Sequence, residues 1–558
     1  MFNPRRRAIE VFMNAIKTQN DHSDEVKKTI AIIQTTRIGD LLQTTHAIRL
    51  MKENHPEFRV ILIARKKFSE PIKFILNKYF DKIIQIDHKS AMVGADSSKD
   101  ALSNLKKQMT QINEERIDVS INLAFSKSST YLHTLIKSEN KVGPYFNLMH
   151  ERVLQDKWSQ YLYSTVMRGD LNPFNLVDLF ANIIGVNKKM THLSNKEYSN
   201  EEKSHVLIHP FTSQESKQWT SNRWVEVIYQ TLKRNKDTKV IICGSSLDKT
   251  KTEEILNSEL LSSFKDRVDQ WLGLELQELY EKVDQNYLFV GHDSMIGNLL
   301  SYKNVKSLTI SLGPVRPHET TPYALDNYNL APRQKSDELP YNVTYQCIEQ
   351  LLKKNLINIE ELHNSCSTLS INKLNLYKTD MLANGDVTIN ELLHKEQNAK
   401  EIMRNFYHIA WSSIITEANI SMDIPVINSE AKAQLMSHTK GIEALFELSE
   451  FGKKYSRYII EEISKNTPSL EEIKKFSAKL DEVDTLSDMI LSSYPLLAPV
   501  VDYAKVAKNN LQGHNLVKLS ESAFFTYNEV SLLCSVLYEF FEKCSLIKKQ
   551  PEAARDNV

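Results

Sequence analysis

Short runs of β-branched and apolar residues alternate with helical patterns over two successive stretches of this 558-residue chain. Strand-forming runs that alternate with helices are typical of βαβ units on a parallel sheet. Because the runs are almost continuously apolar, we expect the sheets to be buried on both faces. The runs of the first stretch are TIAIIQ (29–34), RVILIA (59–64), KIIQID (82–87) and DVSINL (118–123).

The alternation restarts after a polar boundary near residue 200, which predicts a second sheet of the same kind. Two doubly wound halves in succession favour two Rossmann-like domains that face a cleft. In such sheets ligands bind beyond the carboxyl ends of the strands, so the loops that follow the strands are the candidate sites. The runs of the second stretch are HVLIHP (205–210), KVIICG (239–244), NYLFVG (286–291) and VKSLTISLG (305–313).

The strand pattern stops near residue 395 and apolar residues then recur at helical spacing. Ile402, Phe406 and Ile409 form one such stripe, and another runs from Phe524 to Phe540. Only three glycines fall in this last part of the chain. We therefore predict an all-α helical bundle of four or five helices at the C-terminus.

These shifts in pattern give the predicted domain boundaries. The linker contains Asn384-Gly385, which predicts a tight turn between two short strands. The predicted parts are an N-terminal helical extension (1–28), a first Rossmann-like domain (29–200), a second Rossmann-like domain (201–355), a linker with a short hairpin (356–394) and a helical domain (395–558).

Composition excludes several classes of protein. The chain has 70 basic and 70 acidic side chains, so no overall positive charge draws it to nucleic acid, and we expect no nucleic-acid partner. The five cysteines are scattered and form no CxxC pair, which argues against a disulfide framework or a structural zinc site. Reduced, buried thiols in the cytoplasm fit this pattern.

The N-terminus leaves two interpretations open. Arg5, Arg6 and Arg7 precede Ile9, Phe12, Met13 and Ile16 at helical spacing. This pattern fits either a helix at a membrane surface or a helix that packs on its own protein, and the second is favoured because the stripe is short. No apolar run reaches the roughly 18 residues that a membrane span needs, and the pattern of residues 1–20 is not the one we expect of a secretory signal.

The loop after the first strand run is the first candidate site. Gly39 permits close approach of a ligand or a tight turn. Asp40 begins the following helical pattern, where it would either cap the helix or accept a proton from a substrate hydroxyl. Arg37 adds a cation to the same loop.

The loop HPFTSQESKQW (209–219) is the second candidate. It follows a strand run and precedes a helical pattern, and it supplies the hydroxyls of Thr212 and Ser213 and the charge of Lys217. Hydroxyls, backbone N–H groups and a lysine before a helix predict a diphosphate site. The spacing of a P-loop is absent, and an ordinary polar loop is the alternative.

Two further loops follow the later strand runs. The segment DSMIGN (293–298) offers Asp293 and Ser294 at a helix start, which would hold an anion or sugar hydroxyls. The segment GPVRPHETTPY (313–323) carries Arg316 among proline and threonine residues. Each loop alone is a weak signal.

Taken in order, four segments resemble glycosyltransferase family 9, the lipopolysaccharide heptosyltransferases. RIGDLLQTTHAIRLMK (37–52) resembles the GD loop of the family, 209–219 its HPG-like loop ending in K-x-W, 293–298 its D-S/T-G-x-x-H helix start, and 313–323 its GPT-x-P loop. The resemblance covers about residues 29–350. It implies a GT-B fold, with the acceptor on the side of 29–200 and the nucleotide sugar on the side of 201–355.

The resemblance also implies a reaction. An inverting glycosyltransferase would move a sugar from a nucleotide-diphosphate donor, typically ADP-heptose, without an obligatory metal or a further cofactor. Asp40 would be the general base, Lys217 and Thr212 would hold the diphosphate, and Asp293 would bind sugar hydroxyls. The further donor contacts would be His209, Ser213, Ser294, Gly297 and Asn298, and the acceptor or loop contacts would be Arg37, Gly39 and Arg316.

Four positions depart from the family pattern. Phe211 and Met295 replace glycines, Val315 replaces a threonine and Asn298 replaces a histidine. An asparagine can form hydrogen bonds but cannot carry a positive charge. A different donor sugar, or a catalytically inactive GT-B relative that acts in binding or scaffolding, is therefore the alternative, as is sugar-nucleotide epimerisation on the same fold. The retention of Asp40 and Lys217 favours an active enzyme.

The expected acceptor is a hydroxyl on a glycan, a glycolipid or a protein. The expected location is the cytoplasm, with peripheral contact at the inner face of the bacterial inner membrane left open. The helical domain carries no motif that assigns it a role, so acceptor binding and oligomerisation through it both stay open.

Overall fold

The computed structural model describes residues 28–87, 98–166, 168–186, 188, 203–334, 338–418, 420, 425–511 and 513–547. The predicted N-terminal extension, except for Lys28, lies outside these residues. Contacts divide the chain into two compact units, one formed by Met1–Lys141 with Phe174–His394 and the other by Val142–Pro173 with Lys395–Val558. The segment 142–173, which falls inside the predicted range 29–200, thus groups with the C-terminal part of the chain.

The first sheet of the larger unit has the strand order β3-β2-β1-β4-β5. β1 pairs in parallel with both β2 and β4, so that Ile32 lies between Leu62 and Ile121. All six residues of β1 are buried, as expected for a strand covered on both faces. The strands are β1 (Thr29–Gln34), β2 (Arg59–Arg65), β3 (Lys82–Ile86), β4 (Ile117–Asn122) and β5 (Ser138–Val142).

The second sheet has eight strands in the order β8-β7-β6-β9-β10-β11-β12-β13. Its first six strands in the sequence, β6 to β11, have the spatial order 3-2-1-4-5-6 of a Rossmann fold, and they are parallel. The strands are β6 (His205–His209), β7 (Lys239–Gly244), β8 (Val268–Leu272), β9 (Tyr287–His292), β10 (Lys306–Ile310), β11 (Tyr328–Pro332), β12 (Leu374–Met381) and β13 (Val387–Glu391).

β12 and β13 form the hairpin that Asn384-Gly385 predicts. The backbone turns at Gly385, whose φ of 84° is readily adopted only by glycine, and Leu382 N–H donates to the carbonyl of Asp386 at 2.9 Å. β12 pairs antiparallel with β11. The hairpin therefore extends the second sheet.

Three strands of these sheets were not predicted: β5, β8 and β11. β8 lies at the edge of its sheet, and its sequence VDQWL carries polar residues that remain exposed. The sequence of β5, SENKV, is likewise largely polar. A search for continuous apolar runs misses such strands because it detects only strands buried on both faces.

Helices connect the strands of both sheets. The four that matter for the site are α1 (Ile38–Asn54), α2 (Leu176–Ile184), α3 (Ser221–Arg234) and α4 (Met295–Ser301). The other helices of this unit are Lys66–Ser69, Lys73–Leu76, Ser98–Asn113, Lys127–Leu135, Lys249–Leu256, Leu276–Lys282, Pro317–Thr320, Tyr341–Lys354, Ile359–Ser365 and Thr368–Ile371, with 3-10 turns at Glu70–Ile72, Glu215–Lys217, Ser246–Asp248 and Glu259–Arg267.

The smaller unit is mainly helical. The ring of the buried Trp411 lies 5.0 Å from that of Tyr161 and 4.8 Å from that of Tyr503, so the segment 142–173 contributes to the core of this unit. Its helices are Lys157–Ser164, Ala399–Thr416, Ser429–Ile463, Leu470–Ser493, Ala498–Lys508 and Leu516–Lys543, with a 3-10 turn at Pro495–Leu497 and two-residue strands at Tyr145–Phe146, Arg152–Val153, Glu396–Gln397 and Val426–Ile427.

The predicted fold class is confirmed: two Rossmann-like parts are followed by a helical bundle. Among the helices of the described residues, none is both long enough and apolar enough to cross a membrane.

Candidate functional site

Asp40 lies in the first turn of α1. The helix begins at Ile38, so the expectation that Asp40 starts or caps it is wrong: the N-cap is Arg37 and Asp40 is the third helical residue. Its Oδ2 accepts a hydrogen bond from the backbone N–H of Arg37 at 3.2 Å. The carboxylate thus supports the helix start from inside the first turn, where an acidic residue is favourable, and it stays half-buried and reachable.

α1 packs on α4 of the second sheet. His46 and Ser301 form a hydrogen bond of 2.9 Å between Nε2 and Oγ, and the imidazole stacks on the ring of Tyr302 at 3.7 Å. The Tyr302 hydroxyl donates to the carbonyl of Leu42 at 2.6 Å. A Cβ atom built on Gly39 would lie 3.9 Å from Nδ2 of Asn298. These contacts place the loop of Asp40 beside the start of α4.

Asp293 lies near Lys217 of the second Rossmann-like part and near Asp40 of the first. Its Oδ2 lies 4.0 Å from Nζ of Lys217. Burial raises the pKa of the Asp293 carboxyl, while Lys217 and a hydrogen bond with the Thr320 hydroxyl lower it and the nearby charge of Asp40 raises it further. Asp40, Lys217 and Asp293 therefore share one electrostatic environment, although they come from two sheets.

The strand order of the second sheet explains why the loop of Lys217 and the loop of Asp293 lie close together. β6 and β9 are parallel neighbours, with His209 opposite Gly291, so the loops that follow them emerge side by side. β7 and β8 lie on one side of β6, whereas β9, β10 and β11 lie on its other side. Doubly wound sheets bind ligands at such a switch point, here between β6 and β9. The predicted diphosphate loop (209–219) and the loop of Asp293 (293–298) therefore lie at the position that the fold favours for a ligand.

The diphosphate loop has its own internal support. The hydroxyl of Thr212 donates to the carbonyl of Gln214 at 2.6 Å, whereas Ser213 is exposed. Lys217 ends a 3-10 turn and its side chain is 19% exposed. A ligand would thus meet Ser213 and Lys217 more directly than the Thr212 hydroxyl, which is engaged within the loop.

His209 is neutral at physiological pH. Burial lowers the pKa of its imidazole to about 4, and the charge of Asp248 opposes that shift. Its Nδ1 is buried and has no hydrogen-bond partner among the residues that the structure describes. His209 would therefore contribute a neutral hydrogen-bonding group to a donor site, not a cation.

Phe211 does not project into the site, although it replaces a glycine of the family pattern. Its side chain is 4% exposed and belongs to the core cluster that contains Trp219 and Trp224. A Cβ atom built on Gly244 would lie only 2.7 Å from the Phe211 ring. The ring therefore fills space inside the second Rossmann-like part, above the end of β7.

In the third loop (293–298), some residues are available to a ligand and others are held by packing. Ser294 is the N-cap of α4, and within the described part of the chain its buried hydroxyl has no hydrogen-bond partner. A Cβ atom on Gly297 would meet Pro322 at 3.1 Å and Phe289 at 3.2 Å. Close packing thus accounts for Gly297, and Asn298 is buried beside Gly39.

The fourth loop (313–323) contributes Thr320, which was not among the predicted site residues. Arg316 pairs with Glu319 at 3.1 Å, and the Thr320 hydroxyl donates to the Arg316 carbonyl at 3.3 Å. Thr320 lies near Asp293 and lowers the pKa of its carboxyl. Gly313 has a φ of 63°, and a Cβ atom there would lie 2.4 Å from the carbonyl oxygen of Ser216. The loop therefore touches the turn that presents Lys217, and only glycine fits at this contact.

A buried network at α2 holds the end of this loop. Asn175 Nδ2 donates to the carbonyl of Thr321 at 2.9 Å, and the Tyr323 hydroxyl donates to Asp178 at 2.9 Å. Burial raises the pKa of Asp178 to about 6, against the effect of Lys188, whose Nζ lies 3.1 Å away. Within the described residues, no three His, Cys, Asp or Glu side chains are grouped as metal ligands would be.

Residues 175–349 match the family model described as glycosyltransferase family 9 (heptosyltransferase). The resemblance to glycosyltransferase family 9 is confirmed. The family 9 segment contains the diphosphate loop, the loop of Asp293 and the loop of Thr320, whereas Asp40 precedes it. The match supports a glycosyltransferase.

Solved structures with a similar chain trace include heptosyltransferases and a family 9 glycosyltransferase. Escherichia coli heptosyltransferase WaaC with ADP is 14% identical, with a TM-score of 0.43 over 58% of this chain and 99% of that one. A family 9 glycosyltransferase from Veillonella parvula is 17% identical, with a TM-score of 0.42 over 63% and 99%. A putative UDP-N-acetylglucosamine 2-epimerase from Listeria monocytogenes is 13% identical, with a TM-score of 0.32 over 72% and 100%. No curated protein matches the sequence.

Proposed function

We propose that this chain is an inverting glycosyltransferase that moves a sugar from a nucleotide-diphosphate donor to an acceptor hydroxyl. The observation that carries the proposal is geometric: the helix of Asp40 packs on α4, and Asp293, just before α4, lies 4.0 Å from Nζ of Lys217. A general base for the acceptor hydroxyl and a cation for the leaving diphosphate are groups that assist such a transfer.

In the proposed reaction, Asp40 accepts the proton of the acceptor hydroxyl as that oxygen attacks the anomeric carbon. The bond between the anomeric carbon and the diphosphate oxygen breaks, and the nucleoside diphosphate leaves with the electron pair. Lys217, with the exposed hydroxyl of Ser213, stabilises the charge that develops on the leaving group, and Thr212 closes the loop that presents them. Attack opposite the leaving group inverts the anomeric centre.

Asp293 is proposed to hold the donor sugar. Its carboxylate, 4.0 Å from Nζ of Lys217, would accept hydrogen bonds from sugar hydroxyls. His209, Ser294 and Asn298 would add neutral contacts to the donor, and Arg37, Gly39 and Arg316 would contact the acceptor or order the surrounding loops.

ADP-heptose is the first donor to test. One similar structure is E. coli WaaC with ADP, and another is the same enzyme with ADP-2-deoxy-2-fluoro heptose. Asn298 stands at the histidine position of the family, so the contacts to the donor differ from the family pattern there. A glycan, a glycolipid or a protein are the acceptor classes, and the proposed chemistry involves no metal.

The test is a melting-temperature screen of the full chain with ADP, UDP, GDP and CMP sugars at millimolar concentration, followed by a transfer assay with the donor that binds. A ligand at 100 times its Kd stabilises the folded state by about 2.7 kcal/mol, which a melting curve resolves. We expect ADP-heptose to raise the melting temperature of wild type and Asp40→Asn, and to raise that of Lys217→Met less.

Failure of every nucleotide sugar to shift the melting temperature would contradict the proposal and favour an inactive relative with a binding role. A shift without any transfer to glycan, lipid or peptide hydroxyls would separate donor binding from catalysis. Formation of an epimerised sugar nucleotide in the absence of acceptor would instead indicate an epimerase.

A further inference from the structure

We infer that His292 is a positioning residue for the donor phosphates: its imidazole holds the loop of Lys217 against the strand end that carries Asp293. The inference rests on the proposed function, because it assigns a role to the loop that would grip the diphosphate. His292 is the last residue of β9, directly before Asp293.

Both nitrogens of the imidazole are engaged by backbone groups of other elements. Nε2 accepts a hydrogen bond from the backbone N–H of Trp219 at 3.0 Å, and Nδ1 donates to the carbonyl of Ile310 at 3.3 Å. These partners require the proton on Nδ1 and a free lone pair on Nε2. One side chain thus connects the loop after β6, the end of β9 and the end of β10.

Packing fixes the orientation of the ring. His292 is 1% exposed, and its ring meets the Trp219 and Trp224 rings edge-on, with centroids 6.2 and 5.3 Å away. Rotation of the imidazole would break both backbone hydrogen bonds and disturb two buried indoles. The acceptor for the Trp219 N–H is therefore held in one place.

The hydrogen bond acts close to the phosphate-binding side chain. Trp219 is two residues after Lys217, and the turn before it is closed by Lys217 N–H donating to the Gln214 carbonyl at 3.1 Å. On its other side, the carbonyl of Ser216 rests against Gly313. The turn of Lys217 is thus braced at Trp219 by His292 and at Ser216 by the fourth loop, with Nζ 4.0 Å from Asp293.

The neutral form of His292 is the one that this role needs. Burial lowers the pKa of its imidazole to about 4; the Ile310 carbonyl opposes the shift and His209 adds to it. A protonated ring would present an N–H to the N–H of Trp219 and remove the hydrogen bond. The imidazole therefore serves as a permanent acceptor at neutral pH.

The test compares His292→Phe with His292→Gln. Phenylalanine keeps a flat ring between the indoles but leaves the Trp219 N–H without an acceptor, whereas the glutamine Oε1 reaches about as far as Nε2 and restores one. We expect His292→Phe to weaken ADP binding by about 5- to 100-fold, the range for an unsatisfied buried donor, and His292→Gln to recover most of it. In the transfer assay the KM for ADP-heptose should rise, with a smaller change in kcat.

A second measurement does not depend on the ligand. Hydrogen exchange of the backbone amides of 212–219 should be faster in His292→Phe than in wild type, and close to wild type in His292→Gln. This measurement separates the two proposals: if wild type binds no nucleotide, the proposed function fails, while the exchange rates still decide whether His292 holds the loop.

His438 provides a matched control in the helical unit. Its Nε2 accepts the backbone N–H of Leu496 at 3.4 Å, and its Nδ1 donates to the Gln434 carbonyl at 2.8 Å. His438→Phe should lower the melting temperature without changing ADP affinity or exchange in 212–219. Equal ADP affinity in His292→Phe and His292→Gln, or unchanged exchange in both, would overturn the inference.

Discussion

The two sheets contribute to the site in different ways. The second sheet supplies three loops that brace one another, through His292 and Trp219, through Gly313 and Ser216, and through Thr320 and Asp293. The first sheet supplies one loop, whose Asp40 is held mainly by the start of its own helix. Rigid mutual support suits the binding of a ligand of fixed shape, whereas a half-buried carboxylate at a helix start suits a reactive group that must meet variable acceptors.

The largest effect should come from the single reactive group of the first sheet. We expect Asp40→Asn to lower kcat by about 10²- to 10⁴-fold, because the amide cannot accept the proton of the acceptor hydroxyl. Donor affinity, measured by calorimetry, should stay close to wild type because the proposed donor site lies in the loops of the second sheet. Asp237→Asn, in an exposed turn before β7, is the control with unchanged kcat. A kcat of Asp40→Asn equal to wild type would contradict the proposal that Asp40 is the general base.

The next largest effect should arise in the second sheet. Lys217→Met should reduce kcat/KM for the donor by about 10²- to 10³-fold, since the cation that faces the leaving group is lost. Lys217→Arg keeps the charge and should retain more activity, although its planar head changes the geometry. Steady-state kinetics with varied donor measure both. If Met and Arg variants are equally active, Lys217 has no role at the diphosphate.

Alanine substitutions at two glycines, Gly244 and Gly39, should differ in their effect on the free energy of unfolding. Gly244→Ala places a methyl group 2.7 Å from the Phe211 ring and should cost about 1–3 kcal/mol of unfolding free energy. Gly39→Ala meets only Asn298, at 3.9 Å, and should change stability by about 0.5 kcal/mol or less. Urea denaturation measures both. Partial rescue of Gly244→Ala by Phe211→Leu would assign the cost to that ring, and its absence would point elsewhere.

The last prediction concerns how stability depends on pH through His292 of the second sheet. The folded-state pKa of His292, about 4, lies below the unfolded value of about 6.5, so the unfolded chain binds the proton more tightly. Stability contributed by the neutral imidazole should therefore be lost as the pH falls from about 6.5 to about 4, at up to about 1.4 kcal/mol per pH unit. His292→Gln should show a shallower fall in melting temperature over this window. An unchanged slope would mean that other groups set the acid sensitivity.

Much of the fold could be predicted from local pattern. β1 and β7 have the predicted bounds, and β2, β6 and β9 differ by one residue at one or both ends. The edge strand β8 was missed because its polar side chains face solvent, and α1 begins at Ile38, two residues before the predicted start at Asp40. Apolar runs report burial on both faces, so they locate central strands well and edges poorly.

The sequence by itself determined where the chain would present polar loops, since strands, turns and helix starts follow from residues close together in the chain. It also named Asp40, Lys217 and Asp293 as candidates. Only the tertiary structure decided which of these loops meet, because β6 lies beside β9 through the order of strands in the sheet and α1 packs on α4. The same long-range packing turned Phe211 into the core, gave Thr320 its contact with Asp293, and placed His292 under Trp219. Contacts between residues so far apart in the sequence depend on topology, which no local periodicity specifies.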